Sequence, residues 1–555
     1  MLEALVQNDF DITIQHILRR MSTMTSHAEV ATLREDGTVT HTSYGEVARR
    51  ANQLAHALSA LGVRPDDRVA TFAWNSQEHL EAYLALPCMG AVLHTLNIRL
   101  SAEQLSYIVN HAQDKLIIID DSLVPLIEPI ASTFASVEHF IVIGDGSAGS
   151  LPNVLRYEEL LAGQPEEFAF PAIDGAAAAS LCYTSGTTGN PKGVLYGHRS
   201  TVVHALAECL TDTLDVRSSD RVLAVVPMFH ANAWGLPYTC GMIGASIVMP
   251  GRFLQARPLA DLIEDEKVTY AAAVPTIWMD VLRNYGDKPD KLASLRKVVC
   301  GGAAVPRSLM ERFQETFGVP LIQGFGLTET SPLVAAANAP AGTEGEEYWS
   351  YRCKTGRISP LVEARIVNDE GVELPWDGDR PGELELRGPW IASGYFRDPA
   401  STEKFRDGWL RTGDIATIDA RGYVQITDRT KDVIKSGGEW ISSVELENAI
   451  MSHPAVVEAA VIGKPDERWT ERPLACVVLQ EGATVTANDI KDHLAPLVAK
   501  WCLPSDYAFI DEVPKTSVGK FDKKQLRRRL ADGELQMTQA GESAAAGTSA
   551  GSSSG

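Results

Sequence analysis

Short β-rich runs alternate with helical patterns along residues 40–300 of the chain. The helical pattern is clearest over residues 76–86, where Leu80, Tyr83 and Leu84 fall on one face of a helix. The predicted strands begin at Arg68, Leu116, Phe140, Arg221, Ser246 and Lys297. This alternation predicts βαβ units, and therefore largely parallel sheets with helices on both faces.

The pattern changes after residue 360. Alternating strands at 363–367 and 382–387 are separated by Asp, Gly and Pro, which predicts a mainly antiparallel unit. Beyond Arg429 the pattern is mixed again. The elements predicted there are a helix from the capping box Ser442–Glu445 to near His453, strands at 456–462 and 473–480, a helix at 487–499 and a strand at 507–511. We therefore predict the α/β class with a second, smaller α+β domain.

Composition and charge narrow the classes of function. Hydrophobic residues make up 45% of the 555 residues and charged residues 22%, which is an ordinary globular balance. Lys and Arg number 50 and Asp and Glu 72, so the net charge is −22. An acidic chain of this kind argues against general nucleic-acid binding, which needs a basic surface. An anionic ligand then needs a local positive site.

Cysteine spacing and hydropathy predict the compartment. The eight cysteines include no CxxC pair, so neither a zinc site nor a redox motif is visible, and a reducing cytoplasm fits best. The acidic N-terminus lacks the basic start of a signal peptide, and no uncharged apolar run reaches 18 residues. We therefore expect a cytoplasmic protein. Peripheral contact with a membrane stays open.

The strongest chemical signal is the segment 183–193, Tyr-Thr-Ser-Gly-Thr-Thr-Gly-Asn-Pro-Lys-Gly. It follows a predicted strand at 179–183. Glycine lets the backbone approach a phosphate closely, and successive N–H groups and hydroxyls can surround an anion. The segment is not a Walker A loop, because Pro191 stands where that pattern needs glycine. We interpret it as a phosphate-binding loop; the ordinary alternative is a flexible linker.

Four further segments follow in order: 324–329 (Gly-Phe-Gly-Leu-Thr-Glu), 411–414 (Arg-Thr-Gly-Asp), 428–440 (Asp-Arg-Thr-Lys-Asp through Gly-Gly-Glu-Trp) and 514–520 (Pro-Lys-Thr-Ser-Val-Gly-Lys). The set resembles the adenylate-forming (AMP-binding) superfamily of acyl-CoA synthetases, luciferases and peptide-synthetase adenylation domains. The resemblance covers about residues 30–530. Residues 230–237 together with 437–442 most resemble medium- and long-chain fatty acyl-CoA synthetases.

The resemblance implies an architecture and a reaction. The architecture is a large N-terminal adenylation domain (1–428) of two doubly wound sheets plus a distorted antiparallel β unit, a hinge (429–431) and a small mobile C-terminal α+β domain (432–535). Composition predicts a disordered tail at 536–555. The reaction is ATP-dependent ligation of a medium- or long-chain fatty acid to CoA. It passes through an acyl-adenylate, releases AMP and pyrophosphate, and uses Mg²⁺.

Residue by residue, the resemblance assigns four groups of contacts. The residues assigned to ATP are Thr184, Ser185, Gly186, Thr187, Thr188, Gly189, Lys192, Gly302, Ala303, Ala304, Gln323, Gly324, Phe325, Gly326, Thr328, Asp414, Arg429, Lys431 and Lys435. Those assigned to the acyl chain are His230, Ala231, Trp234, Val274, Cys300, Gly301 and Pro332. Those assigned to CoA are Lys435, Ser436, Gly437, Gly438 and Trp440, and those assigned to the metal are Thr184 and Glu329.

The catalytic assignments are Lys520, Thr328, Glu329 and His230. A lysine ammonium can bridge the carboxylate and the α-phosphate and so reduce the repulsion between two anions. A carboxylate beside a hydroxyl suits Mg²⁺. Two of these residues also have an ordinary structural explanation: Lys520 could be an exposed loop lysine, and Thr328 could be a helix N-cap.

Three further assignments have ordinary alternatives. Asp414 is predicted to accept the ribose hydroxyls, but an Asp in a Thr-Gly-Asp turn usually caps its own backbone. Phe325 is predicted to stack on adenine where the family more often has Tyr; core packing is compatible with that role. His230 and Trp234 are predicted to line an acyl tunnel, with the indole as its gate, although both residue types are common in protein cores.

Other functions remain open at this point. The chain could load the acyl group onto a carrier protein instead of CoA, or its substrate could be an aryl acid or a short thioether acid. A luciferase-type oxygenase and a catalytically silent nucleotide-binding protein are more distant alternatives. Because the fatty acyl relatives are often homodimers that exchange N-terminal segments, the resemblance also implies a homodimer, with residues 1–25 as the exchanged segment.

Overall fold

The computed structural model describes residues 4–7, 9–184, 190–429, 432–436, 439–515 and 521–540. Its described residues form two compact units, one up to Ile426 and one from Thr427 onward. The change of unit falls two residues before the predicted hinge at 429–431. All eight cysteines are free thiols, and Cys300 and Cys476 are fully buried in apolar clusters, as small hydrophobic residues would be.

The first sheet of the larger unit is parallel except at one edge. In spatial order its strands are Val154–Arg156, His139–Ile143, Asp114–Asp120, Arg68–Phe72, Val92–Thr95, Ala178–Tyr183 and Gly193–Gly197. Its central strands are nearly uninterrupted apolar runs, because helices cover both faces.

The second sheet joins a parallel half, which ends in one antiparallel edge strand, to an antiparallel half. In spatial order its strands are Glu363–Val367, Gly382–Arg387, Trp409–Ile418, Tyr423–Arg429, Gly356–Ile358, Leu333–Ala336, Leu321–Gly326, Lys297–Gly301, Tyr270–Ala273, Arg221–Ala224, Ser246–Met249, Glu29–Leu33 and Val39–Ser43, with Phe405–Arg406 beside Trp409–Ile418. The antiparallel strands predicted after residue 360 therefore extend the second parallel sheet.

Helices flank both sheets. Those of the larger unit are Gln15–Ser22, Tyr44–Ala60, Gln77–Cys88, Ala102–Ala112, Val124–Ile127, Tyr157–Leu161, His198–Glu208, Leu236–Ile243, Ala256–Asp265, Pro275–Tyr285, Arg307–Phe317 and Gly345–Arg352. Ser43, Ser76 and Ser101 each accept a backbone N–H at the start of a helix, which satisfies one of the donors exposed there. Of the helices in the described chain, none has both the length and the apolar character needed to span a membrane.

The smaller unit is an α+β fold. Its strands in spatial order are Glu439–Ile441, Ile434–Ser436, Thr470–Leu479, Asp506–Phe509 and Thr538–Gln539, with Val456–Asp466 beside Thr470–Leu479. Its helices are Ser443–Met451, Ala487–Leu494 and Lys523–Ala531.

Two predictions for the smaller unit need correction. The helix predicted over 487–499 ends at Leu494, because Pro496 has no N–H to continue the hydrogen-bond ladder. The tail predicted to be disordered from 536 is wrong at its start, because Thr538 pairs with Tyr507 and Gln539 with Asp506. Both strands gain backbone partners there.

Candidate active site

The glycine- and hydroxyl-rich loop lies between two paired antiparallel strands, Ala178–Tyr183 and Gly193–Gly197. At its base the Thr184 N–H donates to the Lys192 carbonyl at 2.9 Å, and the Lys192 N–H donates to Thr184 Oγ1 at 3.3 Å. The centre of the loop, Ser185 through Gly189, lies outside the described residues. The phosphate contacts assigned to that centre therefore stay predictions.

A strand at the middle of the second sheet ends in the small-residue turn predicted to flank adenine. Gly302 in this turn has φ +87°, a conformation that favours glycine, and Ala303 and Ala304 are exposed. The buried side chain of Gln323 holds the turn: its Oε1 accepts from the Val305 N–H at 2.6 Å. Its Nε2 donates to the Lys354 carbonyl at 3.1 Å. The sequence placed Gln323 beside adenine but did not reveal this supporting role.

The predicted metal carboxylate is carried by a three-residue 3₁₀ turn, Thr328–Thr330, just after the strand Leu321–Gly326. Thr328 is therefore inside the turn, and the alternative that it caps a helix is wrong. The turn is fixed by two tyrosines from other segments. Tyr196 donates to the Thr328 carbonyl at 2.6 Å, and Tyr395 donates to Glu329 Oε1 at 2.5 Å. Burial raises the pKa of both phenols, so they remain hydrogen-bond donors.

The Thr412-Gly413-Asp414 segment differs from the prediction. It does not form a turn but lies within the strand Trp409–Ile418, where pairing with Gly382–Arg387 shifts register. Gly413 has φ +75° at this irregularity. The Asp414 N–H donates to Thr412 Oγ1 at 3.0 Å, and the Asp414 side chain is buried. A bulge in a strand can redirect a side chain as a turn does, and the ribose contact of Asp414 stays a prediction.

A cavity of about 230 Å³ opens next to these elements within the larger unit. Most of its wall is apolar, from Val225, Val226, Pro227, Phe229, Trp234, Leu254, Ala273, Val274 and Ile277. The remaining lining residues are Arg99, His230, Thr276 and Gly302. Gly302 belongs both to this wall and to the turn predicted to flank adenine.

Three of the predicted acyl contacts line this cavity: His230, Trp234 and Val274. Ala231, Cys300, Gly301 and Pro332 are not among its lining residues. Gly301 nevertheless bears on the cavity, because a Cβ atom there would lie 3.0 Å from Cη2 of Trp234. The sequence reasoning missed Leu254, Thr276 and Ile277, which are separate in sequence from every motif.

A left-handed turn carries Trp234. The residues from Ala231 to Gly235 have φ values of 42°, 53°, 52°, 57° and 87°. Only glycine adopts this conformation without cost, so surrounding contacts must hold the other four residues. Asn232 supplies them from a buried position: its Nδ2 donates to Ser180 Oγ at 2.8 Å, and its Oδ1 accepts from Cys182 Sγ at 3.1 Å. Trp234 is partly buried and lines the cavity, so it is not a purely core residue.

The smaller unit contains the remaining assignments. Ser436 is buried, and its Oγ accepts from Arg472 Nη1 at 3.1 Å. Arg429 ends the strand that begins at Tyr423. Lys431, Gly437, Gly438 and Lys520 lie outside the described residues, as do the side chains of Lys435 and Trp440. Their assigned roles in ATP binding, CoA binding and catalysis stay predictions.

Family models match both units. The model described as AMP-binding enzyme matches residues 22–396, and the model described as AMP-binding enzyme C-terminal domain matches residues 445–520. The chain belongs to the AMP-binding enzyme family. The resemblance inferred from the five motifs is thereby confirmed.

Within this family the chain is similar to several acid–CoA ligases. It is 43% identical to the medium-chain-fatty-acid–CoA ligase of Ectopseudomonas oleovorans, over 91% of this chain and 93% of that protein. It is 45% identical to the long-chain-fatty-acid–CoA ligase of Thermus thermophilus, over 94% and 96%. It is 44% identical to the 3-methylmercaptopropionyl-CoA ligase of Ruegeria lacuscaerulensis, over 91% and 94%.

Solved structures of the family have the same fold. The anthranilate CoA ligase AuaEII in complex with anthranoyl-AMP matches this AMP-binding enzyme with a TM-score of 0.86 and 29% identity, over 95% of this chain and 100% of that one. ATP-bound MatB from Rhodopseudomonas palustris matches with a TM-score of 0.81 and 28% identity, over 94% and 99%. The predicted α/β class with a large N-terminal and a small C-terminal α+β domain is confirmed.

Proposed function

We propose that the acid substrate of this AMP-forming acid–CoA ligase is a fatty acid of medium or long chain length. The cavity bounded by Trp234, Val274, Leu254 and Ile277 carries the proposal, because its mostly apolar wall suits an aliphatic chain. Gly302 and His230 belong to the same wall, and Gly302 is also assigned to ATP, so an acyl chain in the cavity could present its carboxylate near the predicted nucleotide site.

The reaction has two steps. The carboxylate oxygen attacks the α-phosphorus of ATP, forms the acyl–phosphate bond and expels pyrophosphate. The CoA thiol then loses its proton and attacks the acyl carbonyl, and AMP leaves. The protein contributes mainly by positioning the reactants and by stabilising charge. Lys520 is proposed to ease the approach of the two anions in the first step.

The residues proposed for Mg²⁺ have suitable chemistry. Glu329 offers a partly exposed carboxylate and Thr184 a hydroxyl, and oxygen ligands are what Mg²⁺ prefers. A bound Mg²⁺ would neutralise charge on the phosphate oxygens. Tyr395 donates to Glu329 Oε1, and among the described residues no donor to the second carboxylate oxygen is found, so that oxygen could bind a ligand.

A short thioether acid is the second candidate substrate. The 3-methylmercaptopropionyl-CoA ligase is as similar to this chain as the fatty acid ligases are, at 44% identity. Identity therefore does not separate the two substrate classes.

A panel of acids tests the proposal. Straight-chain acids of graded length, 3-(methylthio)propionate and benzoate are compared by pyrophosphate release and by detection of the thioester. We expect kcat/KM to rise with aliphatic chain length and to exceed the values for the other two acids. A higher kcat/KM for 3-(methylthio)propionate or benzoate contradicts the proposal. When CoA and a carrier protein are compared as acceptors, acyl transfer to the carrier protein in preference to CoA contradicts CoA as the acceptor.

The proposed role of Lys520 is tested separately with Lys520→Ala and with Lys500→Ala as control, since Lys500 is an exposed lysine of the same unit. Loss of one charge-stabilising group costs roughly 10²–10³-fold in rate. We expect a loss of that size in pyrophosphate release for Lys520→Ala and none for Lys500→Ala. Undiminished pyrophosphate release from Lys520→Ala would show that the role is assigned wrongly.

A further inference from the structure

The segment 390–398 packs against the turn that carries Glu329, although more than sixty residues separate them in sequence. The Ala392 N–H donates to the Glu329 carbonyl at 2.8 Å. Ser331 Oγ donates to the Trp390 carbonyl at 2.8 Å. The Tyr395 hydroxyl donates to Glu329 Oε1 at 2.5 Å. The backbone and the carboxylate of Glu329 therefore both accept from the same segment.

The ring of Tyr395 is itself fixed on two sides. Phe405 packs edge-on against it, with ring centroids 5.1 Å apart. The Lys192 ammonium lies 4.9 Å from the centre of the ring, within the range of a cation–π contact. Lys192 is also 3.1 Å from Oδ2 of Asp398, three residues after Tyr395. These contacts leave the ring little freedom, so its hydroxyl has a defined direction.

The two tyrosines at the turn hold different groups. Tyr196 donates to the Thr328 carbonyl and therefore fixes the backbone. Tyr395 fixes the Glu329 side chain, and among the described residues it is the one donor to that carboxylate. A short hydrogen bond to an ionised oxygen is among the stronger kinds. It determines the rotation of the carboxylate and so where Oε2 points.

We propose that Tyr395 is a positioning residue that orients the Glu329 carboxylate for a divalent metal ion bound with ATP. The proposal rests on the proposed role of Glu329 as a metal ligand. Hydrogen-bond partners of a ligating carboxylate typically contribute 10–100-fold to metal affinity or activity. The proposal gives Tyr395 no direct contact with the reacting atoms.

The test uses Tyr395→Phe in the full chain, which keeps the ring beside Lys192 and Phe405 and removes only the donor. The Mg²⁺ concentration for half-maximal adenylation is measured at saturating ATP and fatty acid. Mn²⁺ binding in the presence of a non-hydrolysable ATP analogue is measured by electron paramagnetic resonance. We expect the half-maximal Mg²⁺ concentration and the dissociation constant for Mn²⁺ each to rise about tenfold or more in Tyr395→Phe. The adenylation rate of the variant at saturating Mg²⁺ should recover most of its original value.

Two further variants make the outcome decisive. Tyr423→Phe removes a phenol that donates to the Asn338 carbonyl at 2.6 Å, and it should leave the metal constants unchanged. Glu329→Gln tests the proposed metal role of Glu329, on which the positioning role rests. Raised metal constants in Glu329→Gln but not in Tyr395→Phe overturn the positioning role alone. Unchanged constants in both overturn the metal assignment of Glu329 and the positioning role with it.

Discussion

The side-chain amide of Asn232 donates a hydrogen bond to Oγ of Ser180 at 2.8 Å. Asn232 lies in the left-handed turn beside the acyl cavity, and Ser180 lies in the strand that leads to the glycine-rich loop. The buried side chain of Asn232 therefore connects the wall of the proposed acyl site to the strand that precedes the proposed phosphate-binding loop.

Replacing Asn232 with Ala should destabilise the larger unit and impair acyl binding. The change leaves buried polar partners unsatisfied and places Ala at φ 53°, at a combined cost of about 3 kcal/mol. Urea unfolding and the KM for the fatty acid measure the two effects. Asn284→Ala, at an exposed helix position where Nδ2 donates to the Asp280 carbonyl, is the control. Equal stability losses in the two variants would contradict the role of Asn232.

Gly301→Ala should shift the acyl preference toward shorter chains. Its Cβ would lie 3.0 Å from Cη2 of Trp234 and 2.9 Å from the Gly324 carbonyl oxygen, so the indole or the backbone must move. A methyl-sized change in an apolar pocket is worth about 10–200-fold in discrimination. We expect kcat/KM for the longest accepted acid to fall by at least about tenfold relative to a shorter one. An unchanged ratio would show that Gly301 does not control the position of Trp234.

Glu208 should make stability depend on pH. It is fully buried, accepts a hydrogen bond from Thr239, and burial raises its pKa to about 8. Between its ordinary pKa near 4.5 and 8, the native state keeps a proton that the unfolded chain releases. The free energy of unfolding therefore falls as pH rises through this window.

The nearby His204 changes the free energy of unfolding in the opposite direction, and at lower pH. Burial lowers the pKa of His204 to about 3, so its contribution to the free energy of unfolding increases with pH only up to about 6.5, where the imidazole of the unfolded chain has lost its proton. Urea unfolding of the native protein and of Glu208→Gln between pH 6.5 and 8 isolates the carboxyl. We expect stability to fall more steeply with pH in the native protein than in the variant. Parallel pH profiles would contradict this prediction.

Ser442→Ala should cost more stability in the smaller unit than Thr486→Ala. Both residues accept a backbone N–H as helix N-caps, and losing such a cap costs about 1 kcal/mol. The Thr486 hydroxyl also donates to the exposed Asp489 carboxylate, whereas the Ser442 hydroxyl donates to the Thr427 carbonyl in a partly buried position. Because water can replace the exposed bond more easily, the loss at Ser442 should be larger by about 1 kcal/mol. Thermal unfolding of both variants gives the comparison. An equal loss would show that the bond to Thr427 contributes no more than the exposed bond of Thr486.

Local sequence patterns predicted much of the fold. The strands beginning at Arg68, Phe140, Ser246 and Lys297 were predicted from their apolar runs, and all are present. Such runs are reliable because a strand between two helix layers must be apolar on both faces. The motif set also predicted the family. The predicted ends of elements were less accurate, because the helix predicted over 487–499 ends at Leu494, before Pro496. The Thr-Gly-Asp segment was predicted to be a turn but forms an irregularity within a strand.

The sequence by itself determined the alternation of strands and helices, the acidic surface and the motifs that identify the family, because these depend on neighbouring residues and residue types. Only the tertiary structure brought Tyr395 to Glu329, Asn232 to Ser180, and Leu254 and Ile277 to one cavity wall. These contacts depend on how the two sheets and the segments that follow their strands pack against one another. That packing is selected by the whole core, so residues far apart in the chain carry no local signal of their contact.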